Sequence, residues 1–123
     1  NTIYIFEADG LRLAHMGDLG HDLNTETLDA MGPIDILMIP VGGEYTIGPK
    51  EAVSVITKVD PYFIIPMHYK ADGMNPEIGS KLESLETFLK EVGIPSENTS
   101  KFSIKKDEIL EDQNSKVIVL ERK

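Results

Sequence analysis

Three stretches of this sequence place residues capable of metal or acid–base chemistry directly after an apolar run. Leu11 to Met16 leads into Gly17-Asp18-Leu19-Gly20-His21, and Ile34 to Pro40 into Val41-Gly42-Gly43-Glu44-Tyr45-Thr46. Tyr62 to Met67 leads into His68-Tyr69-Lys70. Carboxylate and imidazole hold a borderline divalent ion where no thiolate is available, and this chain has no cysteine. Asp18 and His68 are therefore candidate metal ligands. The glycines around Asp18 let the backbone turn sharply and leave room beside the carboxylate. Yet an Asp between glycines is also a common turn residue, and a histidine at a strand end can be a satisfied structural group. Catalytic zinc asks for at least three protein donors, and no H-x-H or H-x-x-x-H pair occurs here. From the residues alone, the metal site is incomplete.

Other polar groups surround these candidates. His21 can face the same crevice as a substrate or proton-transfer group, or be an ordinary loop histidine. His15, three residues before Asp18, reads as structural or as support for a ligand. Gly42 and Gly43 permit close backbone approach, to a ligand or to the neighbouring turn. Tyr45 and Thr46 are candidate pocket-lining residues, although loop hydroxyls more often satisfy backbone. The acidic run from Asp107 to Asp112 reads as solvated surface.

The elements that must position these groups form an α/β pattern. Thr2 to Glu7 and Leu11 to Met16 read as a hairpin, because Asp9-Gly10 suits a turn with two positive φ angles. Asn24 caps a short helix that Gly32-Pro33 ends. Ile34 to Pro40 is a buried-type strand. Gly48-Pro49 then opens a helix whose predicted apolar stripe is Ala52, Val53, Ile56 and Val59. Asp60-Pro61 stops it, and Tyr62 to Met67 returns as a strand, so the two strands should be parallel. Ser80 and Glu83 predict a capping box for a further helix with Leu82, Leu85, Leu89 and Val92 inward, closed by Gly93 and Pro95. Phe102 to Ile104 and Val117 to Leu120 are the remaining candidate strands. Ligands bind beyond the carboxyl ends of strands in such sheets. If the three strands are like-directed neighbours, Asp18, Gly42-Gly43 and His68 meet at one crevice.

Composition narrows the function classes. With 123 residues the chain has the size of one domain, 1–123, and its 41% hydrophobic and 27% charged content is ordinary for a globular protein. No apolar run approaches the roughly 18–20 residues of a membrane span. The lack of cysteine suits a cytoplasmic protein. A net charge of −9 repels phosphate backbones, so nucleic acid is an unexpected partner. The opening Asn1-Thr2-Ile3-Tyr4-Ile5-Phe6 starts inside a β-rich run, which reads as part of something longer. Neither G-x-G-x-x-G nor G-x-x-x-x-G-K-[ST] occurs, which weakens a nucleotide-binding or receiver-like alternative.

Ala14-His15-Met16-Gly17-Asp18-Leu19-Gly20-His21, Asp35-Ile36-Leu37-Met38-Ile39-Pro40-Val41-Gly42-Gly43 and Ile65-Pro66-Met67-His68-Tyr69 are each weak motifs, but all three in this order and spacing are fairly specific. Together they resemble the second half of small metal-dependent hydrolases of the metallo-β-lactamase superfamily, nearest the branch with L-ascorbate-6-phosphate lactonase-like proteins. The resemblance runs from Asn1 to around Lys70 and is weaker over the following helix. It implies half of an αββα sandwich, a mixed sheet with helices packed on one face and metal bound at the edge between sheets. It maps a bridging aspartate onto Asp18 and the last ligand histidine onto His68. The family's H-x-H-x-D-H cluster and a further histidine belong to an amino-terminal half, and this sequence contains neither. The implied cofactor is a divalent metal, zinc foremost, with manganese or iron as alternatives. The implied activity is hydrolysis of a small lactone, ester or phosphorylated compound by metal-activated hydroxide, with Asp18 and His21 in catalytic roles. The expected partners are that substrate and an amino-terminal half of the same fold. The alternative is a non-catalytic fragment or pairing module, whose exposed sheet face would favour homo-oligomers.

Overall fold

The computed structural model describes residues 3–17, 19–20, 22–43, 46–67, 69, 84–104, 106–109 and 113–120. Tyr4–Ala8 (β1) and Leu11–His15 (β2) form an antiparallel hairpin with Tyr4 opposite His15. Asp9 and Gly10 turn it with φ of 51° and 81°, the mirror-image turn that matches strand twist. Helix α1 (Thr25–Met31) begins where the Asn24 side chain accepts the Thr27 N–H at 2.8 Å, and Gly32 ends it at φ 68°.

Strand β3 (Ile36–Pro40), helix α2 (Pro49–Val59) and strand β4 (Phe63–Met67) make the expected β-α-β unit with parallel strands. Pro49 sits in the first turn of α2, where its missing N–H costs nothing. Asp60 ends α2 in the left-handed region, φ 52°. Helix α3 (Leu85–Val92) is capped by Ser84, whose hydroxyl accepts the Thr87 N–H at 3.3 Å, and is closed by Gly93. Strand β5 (Ser96–Thr99), a short 3-10 turn (Lys106–Glu108) and strand β6 (Lys116–Leu120) follow. The sheet order is β1-β2-β3-β4-β6-β5, with β1 antiparallel and every other neighbour parallel.

The three described helices pack on one face of this mixed sheet. There Ala14, Leu37, Ile39, Ile64 and Val117 meet Met31, Ala52, Val55, Ile56 and Phe88, all buried. The opposite face carries a smaller cluster of Ile36, Phe63, Ile65 and Ile118. Phe102, Ile104 and Ile109 close over it, with the Phe102 ring 5.0 Å from that of Phe63. Towards β1 this face opens: Tyr4 and Phe6 are 52% and 55% exposed, their rings stacked at 6.4 Å.

Several details differ from expectation. The buried stripe of α2 is Ala52, Val55 and Ile56, with Val59 partly buried. That is regular i, i+3, i+4, i+7 spacing, and Val53 lies one position off it. In α3 the fully buried side chain is Phe88, while Leu85, Leu89 and Val92 are only partly buried. Ser80, Leu82 and Glu83 lie outside the described residues. Phe102 to Ile104 is not a strand and covers the second sheet face instead. The missed strand, Ser96–Thr99, is polar because it lies at the sheet edge with three of its four residues exposed.

Candidate functional site

β2, β3 and β4 are adjacent and parallel, so their carboxyl ends share one edge of the sheet. Pairing continues one residue past each ladder. Met16 N–H donates to Met38 O at 2.9 Å, and Val41 N–H donates to Met67 O at 3.0 Å. Beyond Met16 the chain turns at Gly17, φ 62°. Four candidate residues, Asp18, His21, Tyr45 and His68, lie outside the described residues. Their described chain neighbours are Gly17 and Leu19, Gly20 and Asp22, Thr46, and Met67 and Tyr69.

The loops after β2 and β3 are stitched together. Ile47 N–H donates to Leu19 O at 2.8 Å, and Gly43 N–H donates to Ile47 O at 3.0 Å. Thr46 N–H donates to Gly43 O at 3.4 Å, and Leu19, Val41 and Ile47 are buried. Gly43 has φ 76°, and a Cβ there would lie 3.6 Å from Gly48 Cα. That is an ordinary van der Waals distance, so at Gly43 the positive φ rather than the space favours glycine. Gly42, beside it, is buried. The Thr46 hydroxyl is buried without a hydrogen-bond partner among the described residues, unlike the backbone-satisfying hydroxyl expected at such a position.

His15 ends β2 in a supporting position. Its Nδ1 accepts the Gly17 N–H at 3.1 Å, fixing the turn that precedes Asp18. An accepting Nδ1 puts the ring proton on Nε2 when the imidazole is neutral. The ring meets Tyr4 edge-on at 6.4 Å.

Pro66 shapes the far side of the same edge. Met67 O points towards β3, and Tyr62 O accepts from Lys116 N–H, so Pro66 presents its donor-less nitrogen towards β6. The β4–β6 register stops at Ile64 opposite Val117, two residues earlier. A strand proline cannot extend a ladder on that side, so the end of β4 is left unpaired by β6.

One polar cluster escaped the sequence reading. Asp22 Oδ2 accepts from Ser54 Oγ at 2.6 Å and pairs with Lys58 Nζ at 3.1 Å, while Oδ1 accepts the Leu23 N–H at 2.7 Å. Burial opposes ionisation of Asp22, but the bonds from Ser54, Lys58 and Leu23 and the Lys58 charge outweigh it. Its pKa is held below the ordinary 3.8. The only signal in the sequence was that Ser54 and Lys58 are four residues apart on a polar stripe of α2. Nothing local revealed their partner.

Among the described residues, no three His, Cys, Asp or Glu side chains are placed to hold a metal ion. The chemistry of the donors that follow β2 and β4, a carboxylate and an imidazole, fits a divalent cation. An open cavity of about 800 Å³ lies at the opposite, amino ends of the strands, lined by Asp35, Asp60, Tyr62 and Asn114 among others. It contains none of the candidate residues, and ligand sites of α/β sheets form at the carboxyl ends. No described helix is long and apolar enough to cross a membrane.

Residues 1–68, more than half of the chain, match the beta-lactamase superfamily domain. The chain belongs to the metallo-β-lactamase superfamily. A UPF0173 metal-dependent hydrolase of Thermococcus onnurineus is 40% identical over 67 residues, covering 54% of this chain and 30% of that protein. Another from Methanopyrus kandleri is 28% identical over 94 residues, 76% of this chain and 40% of the relative. A solved Thermotoga maritima structure named as a Zn-dependent hydrolase of the metallo-β-lactamase superfamily aligns with TM-score 0.75 and 36% identity. That alignment covers 96% of this chain and 58% of the Thermotoga chain. The fold is therefore part of a metallo-β-lactamase structure, and the chain spans less than two thirds of each of these relatives.

Proposed function

We propose that this chain is the carboxyl-terminal half of a metal-dependent hydrolase. In this reading Asp18 and His68 are metal ligands, and His21 serves substrate binding or proton transfer. Gly42, Gly43 and Tyr45 line the pocket. The observation that carries it is the shared edge: β2, β3 and β4 end side by side, and the exit loops of β2 and β3 are stitched through Leu19, Ile47 and Gly43. The metal-dependent names of the relatives and the zinc named for the Thermotoga protein support zinc, with manganese or iron as alternatives. A bound ion of this kind lowers the pKa of water towards about 7 and polarises a carbonyl or phosphoryl oxygen. This chain's residues bind and orient: Asp18 and His68 hold the ion, and His21 moves a proton. The lactonase-like resemblance favours small lactones, esters or phosphorylated compounds as substrates.

The remaining ligands come from an amino-terminal half, which packs on the open sheet face around Tyr4 and Phe6. The test is to mix the chain with the corresponding half of the Thermotoga hydrolase. Metal content by elemental analysis should rise to stoichiometric, and hydrolysis of lactones or phosphoesters should appear. Asp18→Ala and His68→Ala should abolish turnover while the chain stays folded. Retained turnover in metal-loaded Asp18→Ala would sink the assignment.

The exposure of Tyr4 and Phe6 also favours a second, non-catalytic reading, in which that face joins two copies of the chain. Concentration-dependent dimerisation without metal uptake would support it. A monodisperse monomer at high concentration would argue against it.

A further inference from the structure

We infer that Asp22, Ser54 and Lys58 form a positioning clamp for the loop that carries Asp18 and His21, an inference resting on the metal-site reading above. Asp22 directly follows His21 and lies four residues after Asp18. Its carboxylate is gripped from α2 by Ser54 Oγ at 2.6 Å and Lys58 Nζ at 3.1 Å, and from its own loop by the Leu23 N–H at 2.7 Å. Lys58 Nζ also reaches Leu23 O at 3.4 Å. Ser54 and Lys58 stand one helical turn apart, so a rigid element presents both donors to one acceptor. The other end of the loop is pinned independently, by buried Leu19 and its bond from Ile47 N–H. Leu19 and Asp22 are thereby each held to a fixed point, the loop after β3 and α2 respectively.

Such an arrangement does more for geometry than for stability. The Asp22 and Lys58 side chains are 37% and 41% exposed, and ion pairs that exposed contribute little to folding. Converging charge-assisted hydrogen bonds do fix orientation. Binding sites need their groups held to within about 0.5 Å by a supporting shell. On this inference the clamp supplies part of that shell to the loop that bears Asp18 and His21, from a helix that itself bears neither.

Cobalt(II) is the probe, titrated into the chain alone and mixed with the Thermotoga amino-terminal half, and followed by its visible absorption. Ser54→Ala and Asp22→Asn should weaken cobalt binding by about tenfold to a hundredfold, the range for groups that orient metal ligands. They should also alter the absorption band. Ser54→Ala should keep its melting temperature, and Ser54→Thr, which retains the hydroxyl, should bind as the unmodified chain does. If Asp22→Asn does not fold, the two Ser54 variants decide. Equal affinity and identical spectra in Ser54→Ala and the unmodified chain would overturn the clamp and leave the metal site standing. No cobalt bound by the unmodified chain in either form would overturn the metal site, and the clamp's positioning role with it.

Discussion

The two faces of the sheet use similar side chains to different ends. On the helix-covered face, Ala14, Leu37, Ile39, Ile64 and Val117 are completely buried and Phe88 reaches in from α3. On the other, Ile36, Phe63, Ile65 and Ile118 lie under one short segment, and the apolar surface continues uncovered to Tyr4 and Phe6. One face is finished by this chain. The second is apolar beyond what the described residues cover.

That contrast sets a graded series of tests. Phe88→Ala removes a fully buried ring from the finished face and should cost about 3–5 kcal/mol in urea denaturation. Phe102→Ala, on the half-covered face, should cost less, about 1–2 kcal/mol, because less area leaves water on folding. If Phe102 proves as costly as Phe88, the two faces are equally complete and the comparison fails.

Acid probes the loop tethered to α2. The Asp22 pKa is lowered in the fold, so its contribution is intact above the ordinary 3.8 and fades as pH falls through the lower folded value. Because the pair is over a third exposed, the loss should stay below about 1 kcal/mol, and stability–pH curves of Asp22→Asn should lack it. The smallest effect on stability belongs to Phe6→Ser, within about 0.5 kcal/mol for an exposed side chain. Light scattering should nevertheless show weaker self-association or weaker pairing with an amino-terminal half. Unchanged association would mean that the open face is not a docking surface.

Local chemistry made much of the fold legible. Asp9-Gly10, Asn24 with Gly32, and Gly48-Pro49 with Asp60 each act within a few residues, and each element boundary they mark is present in the structure. What depended on distant partners was not legible. Ser96–Thr99 is a strand only because β6 lies beside it, and Phe102 is placed by Phe63, nearly forty residues away. For the candidate site, the common polarity of β3 and β4 was readable from the α2 crossover, whereas the parallel pairing of β2 with β3 stood only as a condition that the structure meets. The bond from Ile47 to Leu19 and the grip of Ser54 on Asp22 were not readable, since each joins segments about thirty residues apart in sequence.

The strand order also has a consequence for biosynthesis. β6 inserts between β4 and β5, yet both of those are translated before it. Until Lys116–Leu120 leaves the ribosome, β4 presents a bare edge and β5 has no neighbour. At about 5–20 residues per second, the nascent sheet waits a few seconds from the end of β4 until its last described strand arrives. During that wait the edge of β4 is open to pairing with other chains. Pro66, set in that edge with no N–H to offer, blunts it.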